Sequence, residues 1–410
     1  MKPYLSYLHL KEKIDQEEHL IAVYKLKPEK EEDFHEVAGG IASESSVGTW
    51  TKVSTEIKSV WDKLHARVFE INEDLSLIKI AYSLELFEPG NIPQLLSSVA
   101  GNVYGLKEIN SLKLLDLFLP EKYVKSFLGP AIGSDGVRKI ANVFNRPLTG
   151  SIIKPKLGLS SNQHFEAAMA VFKGGVDLVK DDENLTNQEF NLFQKRTELI
   201  LKELRNLGLV NKIYAFNITG STNVMNERAK LVKDLGGNCM MIDILTCGFS
   251  ALQEIRQKNY HLLIHAHRAM HAALTRGDRG ISMLVIAKLA RLAGVDTLHT
   301  GTVVGKMEGG KEEVLKINKF LQDEWYGLKK VLPVASGGLH PGMIAELISI
   351  LGKEIILNFG GGIHGHPSGS QAGARAVTQA VEAVQKGVPL QDYAKDNQEL
   401  KIALDLWGEN

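Results

Sequence analysis

The run Lys180-Asp181-Asp182-Glu183-Asn184 sets two hard oxygen donors, Asp182 and Glu183, beside a lysine. Carboxylates of this kind suit Mg²⁺. Two alone make a thin site, so a third anionic ligand or several waters would have to complete it. Lys180 cannot ligate as an ammonium. A neutral amine that takes up CO2 becomes a carbamate, which is an anionic oxygen donor. Side chains alternate along a strand, so Asp182 and Glu183 reach one ion only where the strand has ended and the chain has turned. Taken alone, the segment also reads as a solvated surface charge run with Lys180 paired to its acids.

Other chemistry-bearing residues stand in or just after short apolar or β-branched runs. Lys154 and Lys156 follow Gly150–Ile153, and Lys180 follows Val176–Val179. Asn217 and Thr219 follow Ile213–Phe216, and Asp243 lies in Cys239–Ile244. His265, His267, Arg268 and His271 follow Leu262–Ile264. His299 and the loop Gly301–Gly310, which holds Lys306, follow Val295–Leu298. Ser336-Gly337-Gly338 follows Val331–Ala335, and Gly360-Gly361-Gly362 follows Ile355–Phe359. Successive runs are far enough apart for a crossover helix. Eight βα units over about 260 residues predict a closed (β/α)8 barrel, the TIM fold, rather than a doubly wound sheet. In such barrels the active site lies at the C-terminal ends of the strands. A single strand-end lysine is ordinarily solvated and a single core histidine ordinarily structural. Neither reading explains why six strands carry titratable groups at one end.

The glycine clusters after strands 7 and 8 fit the barrel phosphate site, where bare backbone lets N–H groups approach an anion. Tight turns with positive φ are the alternative for each, but three consecutive glycines exceed what a turn needs, so phosphate binding is the favoured reading. Lys154 and Arg268 could add a second anion contact. His265-Ala266-His267 raises a rival, because an HxH pair with a carbamylated lysine marks metal-dependent amidohydrolases. There the pair comes from the first strand and the lysine from the fourth, the reverse of the order here.

Residues 1–125 read differently. Expected strands are Leu20–Leu26, Trp50–Ser54, Ser76–Ala81 and Lys113–Phe118, with helices at Phe34–Ile41 and Ile92–Ala100. This predicts an N-terminal α+β domain, ferredoxin-like, before a Pro- and Gly-rich connector and a barrel domain over 126–410.

Lys plus Arg and Asp plus Glu are 48 each among 410 residues, so bulk charge gives no drive toward nucleic acid or a membrane surface. The two cysteines, Cys239 and Cys247, form no CxxC pair. They read as free thiols in a reducing cytoplasm. The N-terminal stretch has no apolar core of the signal-peptide kind, and no apolar run is long enough to span a membrane.

The motifs together resemble the RuBisCO large subunit, over nearly the whole chain. Ile152–Leu159 (IIKPKLGL) is similar to that family's first-strand signature, and Gly174–Asp177 leads into Lys180–Asn184, similar to its carbamylation and metal segment. His265–Ala272 (HAHRAMHA) resembles the strand 5 motif, and His299–Gly309 resembles the mobile loop 6. Ser336–Gly338 and Gly360–Gly362 resemble the phosphate loops. In the first domain Glu44–Ser46, Gly48–Thr51 and Gly101–Val103 also match.

The resemblance implies a Mg²⁺-dependent ribulose-1,5-bisphosphate carboxylase with an oxygenase side reaction. Lys180 would be carbamylated by CO2 and hold Mg²⁺ with Asp182 and Glu183, and the carbamate would take the C3 proton. Lys154 would protonate the product carbanion, Lys306 would orient CO2, and His267 would help in hydration and proton handling. Lys156 joins this catalytic group. Arg268, His299, Ser336, Gly337, Gly338, Gly360 and Gly361 would hold the substrate phosphates, with Thr49 and Trp50. Glu44 and Asn102 would come from a neighbouring subunit, which implies a homodimer or an oligomer of dimers with shared sites and no small subunit. HAHRAMHAALTR and VVGKMEGG look most like archaeal-type form III members, which implies nucleotide salvage. Between Glu308 and Pro333 the chain looks about a dozen residues shorter than most relatives of the family, and no long tail follows Trp407. Asn217–Gly220 and Gly362–His366 also occur in RuBisCO-like enolases of methionine salvage, the runner-up reading. Those relatives typically lack the loop 6 lysine and the full KPK and HR pairs. A non-catalytic sugar-phosphate binder would not need Lys180, Asp182 and Glu183 together.

Overall fold

A computed structural model describes residues 3–30, 33–49, 51, 53–304 and 310–408. The alternation of apolar and polar residues in the first hundred positions builds an antiparallel sheet. Its strands are β1 (His19–Pro28), β2 (Arg67–Asn72), β3 (Leu77–Ser83) and β4 (Ile109–Phe118). The regular runs that follow become β5 (Leu148–Ile152), β6 (Leu178–Lys180), β7 (Ile213–Asn217), β8 (Cys239–Asp243) and β9 (Leu263–His267). A two-residue strand, β10 (Gly280–Ile281), precedes β11 (Thr297–His299), β12 (Leu332–Ser336) and β13 (Ile356–Phe359). The chain divides into two units, Met1–Leu128 with Met270–Ala293, and Gly129–Ala269 with Gly294–Asn410.

In the first unit the strand order is β10-β4-β1-β3-β2. β1 is central and antiparallel to both β3 and β4, with Leu20 opposite Tyr82 and Leu26 opposite Leu112. Leu20, Ala22, Tyr24 and Leu26 are fully buried on one face, as period 2 requires. Helix Phe34–Glu44 buries Val37, Ala38, Ile41 and Ala42. Helix Ile92–Val99 starts where Asn91 accepts the backbone N–H of Gln94 at 2.9 Å, with a proline in its first turn. The expected strand at Trp50–Ser54 is not formed among its described residues. Thr51, Val53 and Ser54 are bend, irregular and turn, and all are exposed. β-branched residues there find no apolar face to pack on, so propensity alone does not make a strand. Trp50 itself lies outside the described residues. β2 and β10 went unread. β10 is short and pairs with β4 across a long sequence separation, with Gly280 opposite Lys113.

In the second unit eight parallel strands close into a barrel in the order β11-β12-β13-β5-β6-β7-β8-β9. Each of the eight expected runs overlaps one of them. All five residues of β7 and of β8 are buried, the near-continuous apolar reading of a strand covered on both faces. One end of the barrel is filled by Leu148, Leu178, Ile213, Cys239, Leu263, Leu332 and Ile356, against Val137 and Ala141 of helix Gly133–Ala141. These are mostly first residues of strands, so this is the N-terminal end. Buried Asp296 accepts the backbone N–H groups of Ile132, Gly133 and Ile264 there, which ties the plug to the wall. Burial raises the Asp296 pKa, and the three N–H donors work against that rise. The opposite, C-terminal end of the strands is left for polar groups.

Candidate active site

β6 ends at Lys180, and a turn follows in which Leu185 N–H donates to Asp182 O at 3.0 Å. The strand therefore stops where Asp182 and Glu183 need it to stop. The surface-run reading fails, since Lys180 and Asp182 are each 1% exposed and Asp181 is 0% exposed. Lys180 Nζ lies 3.7 Å from Glu183 Oε2 and donates to its neighbour's carbonyl, Asp181 O, at 2.8 Å. Lys154 Nζ lies 2.7 Å from Asp182 Oδ2, and Lys156 Nζ lies 3.7 Å from Glu183 Oε1. His267 bridges further, with Nε2 at 3.7 Å from Glu183 Oε2 and Nδ1 at 3.4 Å from Asp243 Oδ1.

Charge decides the state of these groups. Burial pushes the Lys180 amine below its ordinary pKa, while Glu183, Asp182 and Asp243 pull it back and Lys154 adds to the depression. Burial alone would raise the Glu183 carboxyl, but Lys180, His267 and Lys156 outweigh it and hold the group at about 2. Glu183 is thus ionised at neutral pH, and the amine is brought toward the neutral form that reacts with CO2.

The residues fit a hard divalent cation. Asp243 Oδ1 is buried and has no hydrogen-bond partner. His267 Nδ1 accepts the Ala269 N–H at 3.2 Å, so it has no proton for Asp243. A buried carboxylate oxygen left so costs free energy unless positive charge is supplied near it. Asp182 and Glu183 are the oxygen donors best placed to ligate, with Asp243 adding negative charge behind them.

Asp181 faces the other way, into the barrel wall. Its Oδ2 accepts from Arg196 Nε at 3.1 Å, Arg196 Nη2 at 2.9 Å and Asn217 N–H at 2.9 Å. Its Oδ1 accepts from the Tyr214 hydroxyl at 2.8 Å and lies 3.2 Å from His164 Nε2. Burial would raise this carboxyl, but Arg196 and His164 hold it well below the ordinary carboxylate range. Asn217 Nδ2 donates to the carbonyls of Asp182 and Glu183 at 3.3 and 3.0 Å, and Asn184 N–H donates to Asp182 Oδ1 at 3.1 Å. The turn is therefore held from behind. Arg196→Met is expected to destabilise the chain by about 3–5 kcal/mol, because Asp181 stays buried without its partner. Urea unfolding at pH 7 measures this, and a loss under about 1 kcal/mol would contradict it. The depressed carboxyl contributes stability that is fully present above its unfolded pKa and is lost as pH falls through its lower folded value. The Arg196→Met deficit should accordingly be constant from pH 7 to about 5 and shrink only in stronger acid.

Across the mouth, His265 Nε2 and His299 Nε2 are 2.9 Å apart. Their other ring nitrogens meet Thr297 Oγ1 at 2.8 Å and Ser336 Oγ at 2.9 Å. Burial drives both imidazoles well below the ordinary histidine pKa, and the neighbouring Lys180 and His267 add to this. Both are neutral, so Ser336 is oriented through a chain of single hydrogen bonds. The His299 ring also packs edge-on to His267 at 4.7 Å. Arg268 is 9% exposed, and burial lowers its pKa to about 10, against Glu313, which raises it. A Cβ at Gly301 would lie 2.8 Å from Arg268 Nη2, so that glycine gives the guanidinium its room.

The glycine loops differ from each other. Gly337 and Gly338 have φ of 118° and 73°, so a turn alone accounts for them. Gly360 has φ −110°, outside the region that demands glycine. A Cβ there would approach Lys154 Cε at 3.4 Å and Ile152 Cγ2 at 3.2 Å. A Cβ at Gly361 would meet nothing within 4 Å. Among the described residues, then, nothing would crowd a side chain at 361.

The barrel thus gathers Lys154, Lys156, Lys180, Asp182, Glu183, His267, His299, Ser336 and Gly360 through successive contacts, with Arg268, Gly337, Gly338 and Gly361 on loops after the same strand ends. Glu44, Thr49 and Asn102 belong to the first unit, where Thr49 and Asn102 are exposed and Glu44 half-buried at a helix end. Trp50 and Lys306 lie outside the described residues. The reading of the sequence assigned no role to Asp181, Arg196 or Tyr214, and took His265 only as half of the rival HxH metal pair. Arg196 carries no signal beyond a cation on helix Phe193–Asn206, whereas His265 lies in the middle of β9, which runs on to His267.

Residues 133–407 match the family model described as the ribulose bisphosphate carboxylase large chain, catalytic domain, and residues 7–123 match its N-terminal domain. A ribulose bisphosphate carboxylase of Methanocaldococcus jannaschii is 46% identical, covering 92% of this chain and 95% of the relative. One of Pyrococcus furiosus is 48% identical, covering 91% and 90%. Among solved structures, the octameric Rubisco of Pyrococcus horikoshii, a sulfate complex, superposes with TM-score 0.94 at 44% identity, covering 99% of this chain and 97% of that one. The dimeric archaeal Rubisco of Hyperthermus butylicus gives 0.92 at 40%, covering 99% and 100%. With both domain models matched in order and the barrel closed around Lys180, the chain belongs to the ribulose bisphosphate carboxylase large-chain family.

Proposed function

We propose that the chain is a Mg²⁺-dependent ribulose-1,5-bisphosphate carboxylase that joins CO2 and water to its substrate and releases two molecules of 3-phosphoglycerate. The observation that carries this reading is the buried Lys180 amine, depressed in pKa and set among Asp182, Glu183 and Asp243 at the barrel mouth. The names borne by archaeal relatives at 46–48% identity support the same reading.

Asp182 and Glu183 would hold Mg²⁺ together with Lys180 once its amine has taken up CO2. The bound ion supplies positive charge beside the substrate carbonyl and so acidifies the adjacent C–H. Lys180 is the side chain that takes the C3 proton. Lys154 Nζ, already at Asp182, delivers a proton to C2 of the product half, and Lys156 beside Glu183 keeps that edge positive. His267, with its proton on Nε2, handles the water that adds at C3. His299 through Ser336, Arg268, and the backbone of Gly337, Gly338, Gly360 and Gly361 take the two phosphates. Lys306 orients CO2 from its loop. Glu44, Thr49, Trp50 and Asn102 serve a partner subunit's site, so the working unit is a homodimer or an oligomer of dimers without a small subunit. The dimeric and octameric assemblies of the archaeal relatives support this. The similarity to archaeal enzymes also favours nucleotide salvage as the setting.

Incubation with ribulose 1,5-bisphosphate, Mg²⁺ and labelled bicarbonate tests the reading. Labelled phosphoglycerate is the expected product. Its absence, with proton exchange from the substrate retained, would instead support an enolase or isomerase on another phosphorylated sugar.

A further inference from the structure

A second cluster lies in the first unit, on residues given no role above. His9 and His65 face each other through their Nε2 atoms at 3.1 Å. What lies behind each ring fixes where its protons are. His65 Nδ1 is 2.6 Å from Trp61 O, and a carbonyl can only accept. His9 Nδ1 is 2.9 Å from Glu12 Oε2, and Arg67 Nη1 holds the other oxygen of that carboxylate at 3.2 Å. Both Nδ1 atoms therefore carry hydrogen, so whenever neither Nε2 is protonated the two Nε2 lone pairs face one another. Two such lone pairs at 3.1 Å repel unless positive charge sits between them. The ring centroids are 5.0 Å apart with planes inclined at 43°, too close for the rings to point straight at each other. The lone pairs are thus inclined to the line that joins them.

We propose that His9 and His65 chelate one borderline divalent cation of the Zn²⁺ class through their Nε2 atoms. Two imidazoles on one tetrahedral ion, each at about 2.0–2.1 Å, place their nitrogens roughly 3.3 Å apart, close to the separation here. Imidazole nitrogen selects Zn²⁺, Ni²⁺ or Cu²⁺ over the hard Mg²⁺ of the barrel. A ligating histidine ordinarily donates its other N–H to a carboxylate or a backbone carbonyl, and this pair has one of each. Trp61 stacks on the His65 ring at 4.9 Å and 2°, which fixes the ring plane. Among the described residues no third His, Cys, Asp or Glu completes the group, so water fills the remaining positions. Such an ion would pin the N-terminal segment to the end of helix Lys58–Leu64. That segment is already joined to β2 through His9 N–H to Val68 O at 2.9 Å.

The test is calorimetric titration of Zn²⁺ into the full-length, untagged, chelator-treated protein in saturating Mg²⁺. Wild type should take up one more Zn²⁺ per chain than either His9→Ala or His65→Ala. Glu12→Gln should keep the stoichiometry and bind about tenfold more weakly. Equal stoichiometry in wild type and His9→Ala would overturn the proposal and leave the pair sharing a proton only. His9 is 30% exposed, so His9→Ala decides the matter even if His65→Ala does not fold. Undiminished affinity in Glu12→Gln would overturn the part given to the carboxylate.

Discussion

Lys180→Met is expected to lower turnover by roughly 10³-fold or more, about 4 kcal/mol of transition-state stabilisation. Methionine nearly matches lysine in length and suits a side chain that is 1% exposed. Alanine would instead open a cavity at a fully buried position. The substitution removes the amine but leaves Asp182, Glu183 and Asp243 close together, so some loss of stability should accompany it. Two measurements separate these effects. Mg²⁺-dependent retention of labelled CO2 by the protein should vanish, while circular dichroism should show the fold intact. Retention at the wild-type level would place the CO2 adduct on another residue and remove the basis for Lys180 as the base. The depressed Lys180 pKa also carries a sign: the neutral amine becomes available at a lower pH than for a free lysine, so CO2 uptake should reach half-maximum below pH 10.5.

Lys154→Met should lower kcat by about 10²–10⁴-fold, the range of a lost general acid, and yet retain labelled CO2. Lys154 Nζ lies 2.7 Å from Asp182 Oδ2 but makes no bond to Lys180. Its loss strips Asp182 of a cationic partner and deprives the product half of its proton donor; the Lys180 amine stays in place and loses only a minor share of its pKa depression. Retained CO2 with lost turnover would therefore distinguish Lys154 from Lys180. Loss of both together would show that Lys154 acts by holding Asp182 in place. The crowding at Gly360 bears on the same lysine, since any side chain there presses on the Lys154 stem.

The barrel and its polar mouth were legible because both rest on local signals. Strands such as Ile213–Asn217 and Cys239–Asp243 are apolar throughout, and the residues after them break that pattern abruptly. Lys180, Asp182 and Glu183 could be read as a site because a strand signal immediately precedes them. Asp181 could not be told apart from its neighbours. Its role depends on Arg196, Tyr214 and His164, which lie 15, 33 and 17 residues away and meet it only after the chain has folded. β10 escaped notice because two residues carry no period. Trp50–Ser54 misled because β-branched composition says nothing about whether a face exists to bury it.

The alternation at the end of β6 has a further consequence. Lys180 points inward, Asp181 outward and Asp182 inward again, so one chain position separates the reacting surface from the structural wall. A deletion of a single residue between Leu178 and Lys180 would swap these assignments. Asp181 would enter the mouth and Lys180 would be turned against Arg196, cation on cation in a dry interior. Substitutions in this segment can be graded in their effects, but changes in its length cannot.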